Sequence, residues 1–360
     1  MKIGILTHQY IHNYGAFLQA YALQETLKIL YPNDDIYMIN YINIKHLIKN
    51  TMGWFRYNPK KDSIKSYFQK IRLPKIFSKT QKQYFNLTKK IFTTKGLNKQ
   101  KFDVIIVGSD EVWHYEDIAK HPMKFGYGLK VKKLLSYAPS TGSANVNENI
   151  PEYVKEGMKN FTGLSARDDN AEILIKNVLG KKSTRVLDPT LLYKFPEYNS
   201  EFVNYIKSQK FILMYYCDRL PEKIKNKIIK YAKENGYKIF GAGEYKKWFD
   251  ETFVDINPFE WIEMFRNAKI IFTGTFHGVI FSIKSKNNFY CYLTNPSRIK
   301  KVNSILNQFE ISDRIINDEN FISIFDEENI NQNIDYNHVY KNIDKYKVKS
   351  INYLKDNIGD

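Results

Sequence analysis

Residues 2–30, KIGILTHQYIHNYGAFLQAYALQETLKIL, decide how this chain folds. Residues 2–7 read as a short buried strand, with Ile3, Ile5 and Leu6 supplying the apolar side chains. Ala16, Ala20, Leu23, Leu27 and Leu30 then recur at helical spacing. A polar turn carrying His8, His12, Asn13, Tyr14 and Gly15 joins the two. A turn at the carboxyl end of a parallel strand, feeding a helix N-terminus, is where open α/β sheets bind ligands. The free N–H groups at such a terminus suit an anion. Asn13 and Gly15 are therefore candidates for meeting an anion. The same pattern also fits a simpler role, with Asn13 capping the helix and Gly15 letting the chain turn.

The β/α alternation continues outward. Residues 36–41 read as a second strand, and a basic segment follows, helical around 63–71 and 81–92. The apolar run 104–107 has the character of a strand buried in a parallel sheet, with Gly108, Ser109 and Asp110 turning at its end. Further strands are expected at 133–138 and 163–166. Helices are expected at 152–161 and from Ala171, the latter capped by Asp169 or Asn170 and ended by Gly180. Asp188-Pro189-Thr190 reads as a turn out of the first domain. A second series has strands at 211–217, 238–241, 269–272 and 289–293. Its helices fall at 221–235, 258–268 and from Val279. The expected architecture is α/β, two doubly wound domains facing a cleft. The domains are an N-terminal one over 1–195 with a basic insertion at about 45–101, and a C-terminal one over 196–318. A polar tail over 319–360, helical around 341–355, is expected to pack back on the body.

Composition narrows the classes. The 360 residues, 43% of them hydrophobic, suffice for two cores. No run of about 18 apolar residues suggests a transmembrane helix, and the first residues make a better strand than a signal peptide. The expected location is cytoplasmic. Cys217 and Cys291 sit in apolar surroundings and read as small buried hydrophobes, and no metal-ligand spacing is present. The net charge of +17 is local. Residues 45–101 hold sixteen Lys/Arg and one acid, Asp62, while the rest of the chain has 39 basic and 37 acidic residues. Trp54, Phe55, Tyr57, Tyr67 and Phe68 are interleaved with that charge. Such a segment suits an anionic membrane surface or an acidic glycan. No nucleic-acid recognition motif accompanies it.

Four strand-end turns carry the chemistry-bearing residues: 8–15, 108–114, Arg167-Asp168 and 275–278. Gly-Ser-Asp also serves as an ordinary turn, and an arginine at a strand end often forms only a salt bridge. His277, between Phe276 and Gly278 at a helix start, is placed to meet an anion or move a proton.

Four motifs together resemble the polysaccharide pyruvyltransferase family: NYGAFLQAYAL (13–23), VIIVGSDEVW (104–113), LSARDDNA (164–171) with LDPTLL (187–192), and TGTFHGVIFSI (273–283). The resemblance spans about residues 3 to 295. It implies a GT-B-like fold with two Rossmann-like domains. It also implies transfer of the pyruvyl group of phosphoenolpyruvate onto two hydroxyls of a sugar or lipid-linked oligosaccharide, giving a cyclic ketal and phosphate. Phosphoenolpyruvate is then a donor substrate, with no separate cofactor. Arg167 matches the arginine of the family's Ser-x-Arg strand end, and His277 the histidine of its His-Gly turn. Many members carry an arginine where this chain has Thr275; if that arginine binds the donor, either another cation, such as one from the basic insertion, takes its place here or the donor differs. The catalytic candidates are His277, Asp110 and Glu111. Arg167, Asn13, Gly15, Thr275 and Gly278 are candidates for the donor, and His8, His12, Tyr14, Trp113 and His114 for the acceptor. A basic flap gripping a lipid-linked acceptor would bring the protein to the anionic inner membrane face. A second reading of the same cleft is a GT-B-like glycosyltransferase using a nucleotide-sugar, and a third is a non-catalytic protein that binds glycans or a membrane surface through the basic segment.

Overall fold

A computed structural model describes residues 1–217, 219–294, 296–325 and 327–359; Asn295, where the resembling stretch ends, lies outside them. The chain forms two compact units. The first comprises Met1–Gly53, Ser78–Phe195 and Ile343–Asp360, and the second Trp54–Phe77 and Pro196–Asn342.

In chain order the elements begin β1 (Lys2–Leu6), α1 (Tyr14–Leu30), β2 (Asp35–Met38), α2 (Ile44–Phe55), α3 (Ile64–Tyr84) and α4 (Thr94–Asn98). Next come β3 (Val104–Val107), β4 (Lys133–Ser136), α5 (Glu152–Met158), β5 (Ser165–Ala166), α6 (Asp169–Leu179), β6 (Thr184–Arg185) and α7 (Pro189–Leu192). Then follow α8 (Glu201–Lys207), β7 (Phe211–Tyr215), α9 (Glu222–Glu234), β8 (Lys238–Ala242), β9 (Glu251–Phe253), α10 (Pro258–Asn267), β10 (Ile270–Thr273) and α11 (Phe276–Ser285). The chain closes with β11 (Asn288–Tyr292), α12 (Pro296–Gln308), β12 (Ile315–Ile316), α13 (Phe321–Ile324), α14 (Glu327–Ile330) and α15 (Tyr336–Ile358).

In the first unit a parallel sheet runs β2-β1-β3-β4. β5 and β6 pair in parallel and adjoin β4 through a bridge between Leu135 and Gly163. The strand order reverses between β1 and β3, which makes the carboxyl ends of those strands a topological switch point. Trp113, Phe125, Leu134 and Val154 are buried in the core of this unit. The last turns of α15 pack against it, where Tyr353 OH donates to Ser136 O at 2.8 Å and Ser350 Oγ accepts from Leu187 N at 2.9 Å.

In the second unit six parallel strands run β12-β11-β10-β7-β8-β9. Here the reversal lies between β7 and β10. Ile212, Met214, Ile228 and Phe272 are buried in its core.

The basic segment differs most from its expected form. α2 is an additional helix with no buried residue, so no core-facing stripe announced it. α3 runs unbroken past Pro74 to Tyr84. Beyond it the expected helix over 81–92 gives way to extended chain, because Leu87 and Ile91 bridge in parallel to Met38 and Tyr41. The segment is also shared, 54–77 grouping with the second unit and 78–101 with the first. The tail is divided too, 319–342 belonging to the second unit and 343–360 to the first.

Candidate active site

At the switch point of the first unit, buried polar groups link the ends of β1 and β3. Thr7 Oγ1 donates to Ser109 O at 2.9 Å, and Gln19 Nε2 donates to Thr7 Oγ1 at 3.1 Å. Gln19 Oε1 accepts from Ser109 N at 3.2 Å. These bonds fix the turn that presents Asp110, whose φ is +79°. Arg167, at the end of β5, reaches into the same turn. Its Nη1 donates to Asp188 Oδ2, and its Nη2 lies 3.4 Å from Asp110 Oδ1. Asp188 caps α7, taking Thr190 N at 3.0 Å and Thr190 Oγ1 at 2.6 Å. Burial opposes the Arg167 charge, but Asp188 and then Asp110 outweigh it, leaving the guanidinium more basic than usual. Glu111 and His114 both pack over Gly142. A Cβ there would sit 2.8 Å from Glu111 Oε2 and 2.5 Å from His114 Cδ2. His114 Nε2 lies 3.2 Å from Ser143 Oγ.

The turn after β1 is tightly packed. Asn13 is the N-cap of α1, accepting from Ala16 N at 3.0 Å, so its side-chain oxygen has the capping role. Tyr14 and Gly15 are buried in the first turn of that helix. His12 is depressed to about 4 by burial. His8 is buried, and its Nε2 lies 2.9 Å from the Nζ of Lys124. Lys124 is wholly buried, donates also to Ala119 O at 3.0 Å, and is lowered to about 7 by burial, against the pull of Asp117 and Asp110. Burial, reinforced by Lys124, holds His8 well below the usual imidazole range.

Trp113 and Tyr14, two of the acceptor candidates, are buried. Trp113 is fully buried in the core, its Nε1 donating to Lys124 O at 2.9 Å, so it supports the turn from beneath. Tyr14 is only 4% exposed and presents no open ring face to a sugar.

In the second unit the switch point between β7 and β10 is closed by Gly274 N donating to Tyr215 O at 3.2 Å. Thr275 is the N-cap of α11, accepting from Gly278 N at 3.0 Å. At Gly278 a Cβ would lie 2.0 Å from Thr273 Oγ1, so a larger residue there forces the capping threonines to shift. His277 stands half-buried in the first turn of this ten-residue helix, its Nε2 turned inside the protein, where the dipole favours negative charge. Buried Tyr215 is raised well above its ordinary value by burial and by Tyr216, against the positive charge of Arg298 on α12. Beside Tyr216, a cavity of about 230 Å³ is lined by Trp54, Lys60, Lys61, Lys70, Tyr245 and Lys246.

A model of the family described as polysaccharide pyruvyl transferase matches residues 13–296. This chain belongs to the polysaccharide pyruvyl transferase family.

Among solved structures, the UDP-GlcNAc 2-epimerase from Methanocaldococcus jannaschii is similar at 15% identity. The match covers 93% of this chain and 94% of that one with a TM-score of 0.52. An S. aureus MnaA-UDP co-structure is similar at 12% identity, over 97% and 93% of the two chains, with a TM-score of 0.51. Arabidopsis thaliana UGT89C1 complexed with quercetin is similar at 10% identity, over 97% and 99%, also with a TM-score of 0.51. At such identities the likeness concerns the fold, which is α/β and GT-B-like. No curated protein matches the sequence.

In this polysaccharide pyruvyl transferase family member, sequence reasoning singled out Arg167 and His277 but missed buried Lys124 beside His8 and the ion pair of Asp188 with Arg167. Asp188 stood inside a noticed motif, LDPTLL, yet read only as a turn. Lys124 had no local signal, because an isolated basic residue in a Lys-rich chain reads as surface. Thr275 is also explained locally: as the α11 cap it performs a task that an arginine side chain, which has no acceptor, cannot.

Proposed function

We propose that the protein transfers the pyruvyl unit of phosphoenolpyruvate to a sugar, forming a cyclic ketal. The start of α11 carries this reading. His277 stands half-buried in the first turn of that helix, where the dipole favours an anion, and Arg298 on α12 is the candidate for the charge that Thr275 lacks. A phosphate or carboxylate needs such cations and N–H donors once it leaves water.

C3 of the enol gains a proton, and C2 becomes the electrophile. One sugar hydroxyl bonds to C2 and the C2–O bond to phosphate breaks. A neighbouring hydroxyl on the same sugar then closes the ring on C2. Of the two hydroxyl protons released, one balances the proton gained at C3 and the other leaves with phosphate or to solvent. His277 is assigned to the donor phosphate, as ligand or general acid. Asp110, with Glu111 as the neighbouring choice, is assigned as the acceptor-side base. Arg167 faces Asp110. Its 3.4 Å contact to Asp110 is the one an incoming anion would replace, while Asp188 retains the other guanidinium nitrogen. The lysines at the cavity beside Tyr216 are assigned to an anionic part of the acceptor.

Calorimetric titration with phosphoenolpyruvate and with nucleotide-sugars tests the donor assignment. Binding of phosphoenolpyruvate, weakened at least about tenfold by Arg298→Gln, is expected, since one charge-assisted contact is lost. Binding of a nucleotide-sugar with no response to phosphoenolpyruvate would overturn it.

A further inference from the structure

α2 wears its amphipathicity inside out. Ile44, Ile48, Met52 and Phe55 are 55%, 51%, 67% and 53% exposed. Their spacings of four, four and three put them within an arc of roughly 80° on the helix. A surface helix ordinarily turns such a stripe to the core. On its other side His46 meets the first unit, its Nδ1 2.9 Å from Tyr10 OH and its ring edge-on to Tyr10 and His8. Within the helix, Asn50 Nδ2 donates to His46 O at 2.9 Å. Helical geometry places Lys45 and Lys49 beside the apolar stripe. Arg56, Lys60, Lys61 and Lys65 follow it, all exposed. The one acid of residues 45–101, Asp62, is buried and paired with Lys70 at 3.0 Å, so it does not offset this surface charge. On α3, Ile64 and Phe68 add a second exposed pair at i, i+4.

We propose that the outer face of α2 docks on the surface of an anionic phospholipid bilayer. The helix lies in the interface plane, Ile44, Ile48, Met52 and Phe55 enter the boundary between headgroups and acyl chains, and the flanking lysines meet lipid phosphates. Charge complementarity selects this occupant. A second copy of the chain would set one strongly basic segment against another, and a neutral partner would leave the lysines unanswered. Among the described residues no helix is long and apolar enough to cross a membrane, and this mode of contact requires none. The proposal goes beyond the assigned chemistry and does not depend on it.

Co-sedimentation of the full chain with vesicles of phosphatidylcholine, with and without phosphatidylglycerol, tests it. The protein should pellet with the anionic vesicles and weaken with salt. Ile48→Asp combined with Met52→Asp should reduce that binding at least about tenfold, as a lost apolar anchor predicts. Both positions are exposed, so circular dichroism and Tm should stay unchanged. Lys45→Gln with Lys49→Gln should weaken the preference for anionic lipid while the protein remains folded. Failure of the wild type to pellet with anionic vesicles, or equal pelleting of the Asp variant, would overturn the proposal. So would a dimer, seen by size exclusion with light scattering, that the Asp variant dissolves in the absence of vesicle binding.

Discussion

The guanidinium of Arg167 is shared between two carboxylates, donating through Nη1 to buried Asp188 and lying 3.4 Å through Nη2 from Asp110. One residue thereby ties the Asp110 turn to the cap of α7. Removing it would leave Asp188 buried and uncompensated. Arg167→Ala is expected to cost about 3–5 kcal/mol, the range for breaking a buried pair from one side. Arg167→Lys keeps the charge but cannot bridge two acceptors through a planar fork, and should fall between. Urea unfolding of the three proteins measures this; identical midpoints would mean the pair carries no load.

The start of α11 makes a steric prediction. Gly278→Ala would set a Cβ 2.0 Å from Thr273 Oγ1 and 2.8 Å from Thr275 Oγ1. The cap must shift, so the variant should lose about 1–3 kcal/mol, as overpacking does. Thr275→Ala should lose about 1 kcal/mol through the cap alone, and Thr275→Ser should be near wild type. Thermal unfolding distinguishes the three.

How far these features were legible in the sequence follows from what each depends on. The parallel strands were readable because 104–107, 211–215 and 270–273 are apolar runs that only a buried sheet accommodates. Gly180 was readable as a helix end, since φ is +64° there. α2 was not, because its apolar stripe serves no core. Nor were β9 and β12, edge strands of three and two residues, too short for any periodicity. At the site, His277 was legible from its turn. Lys124 was not, because its burial depends on His8 and Trp113, more than a hundred and about ten residues away in sequence.

Lys124 also makes a pH prediction. Its folded value is lowered from 10.5 to about 7, chiefly by burial. Between those values the unfolded chain holds a proton that the folded one lacks, so this group makes stability rise with pH across the window. Below it the full cost of burying the cation is present. Lys124→Met removes the titration. Its stability relative to wild type should therefore be more favourable at about pH 6 than at about pH 9, by about 2–3 kcal/mol. A difference independent of pH would show that Lys124 is not titrating there.

Acid should act through the histidines. His12, His46 and His121 are each depressed to about 4, with burial the main cause. Their unfolded value is about 6.5. The stability gained by keeping them neutral is present above about 6.5 and is lost as pH falls through about 4. Tm measured from about pH 7 down to 4 should fall steeply, and His121→Phe should reduce the slope. An unchanged slope in that variant would remove His121 from the account.

The most direct test is phosphate release from phosphoenolpyruvate by the purified protein, comparing wild type with His277→Ala. Sugar glycosides and lipid-linked sugars serve as acceptors. The account predicts acceptor-dependent release by the wild type and its loss in the variant, with the fold intact by circular dichroism. Undiminished release by His277→Ala would contradict the role given to His277. Absence of both release and phosphoenolpyruvate binding would contradict pyruvyl transfer itself.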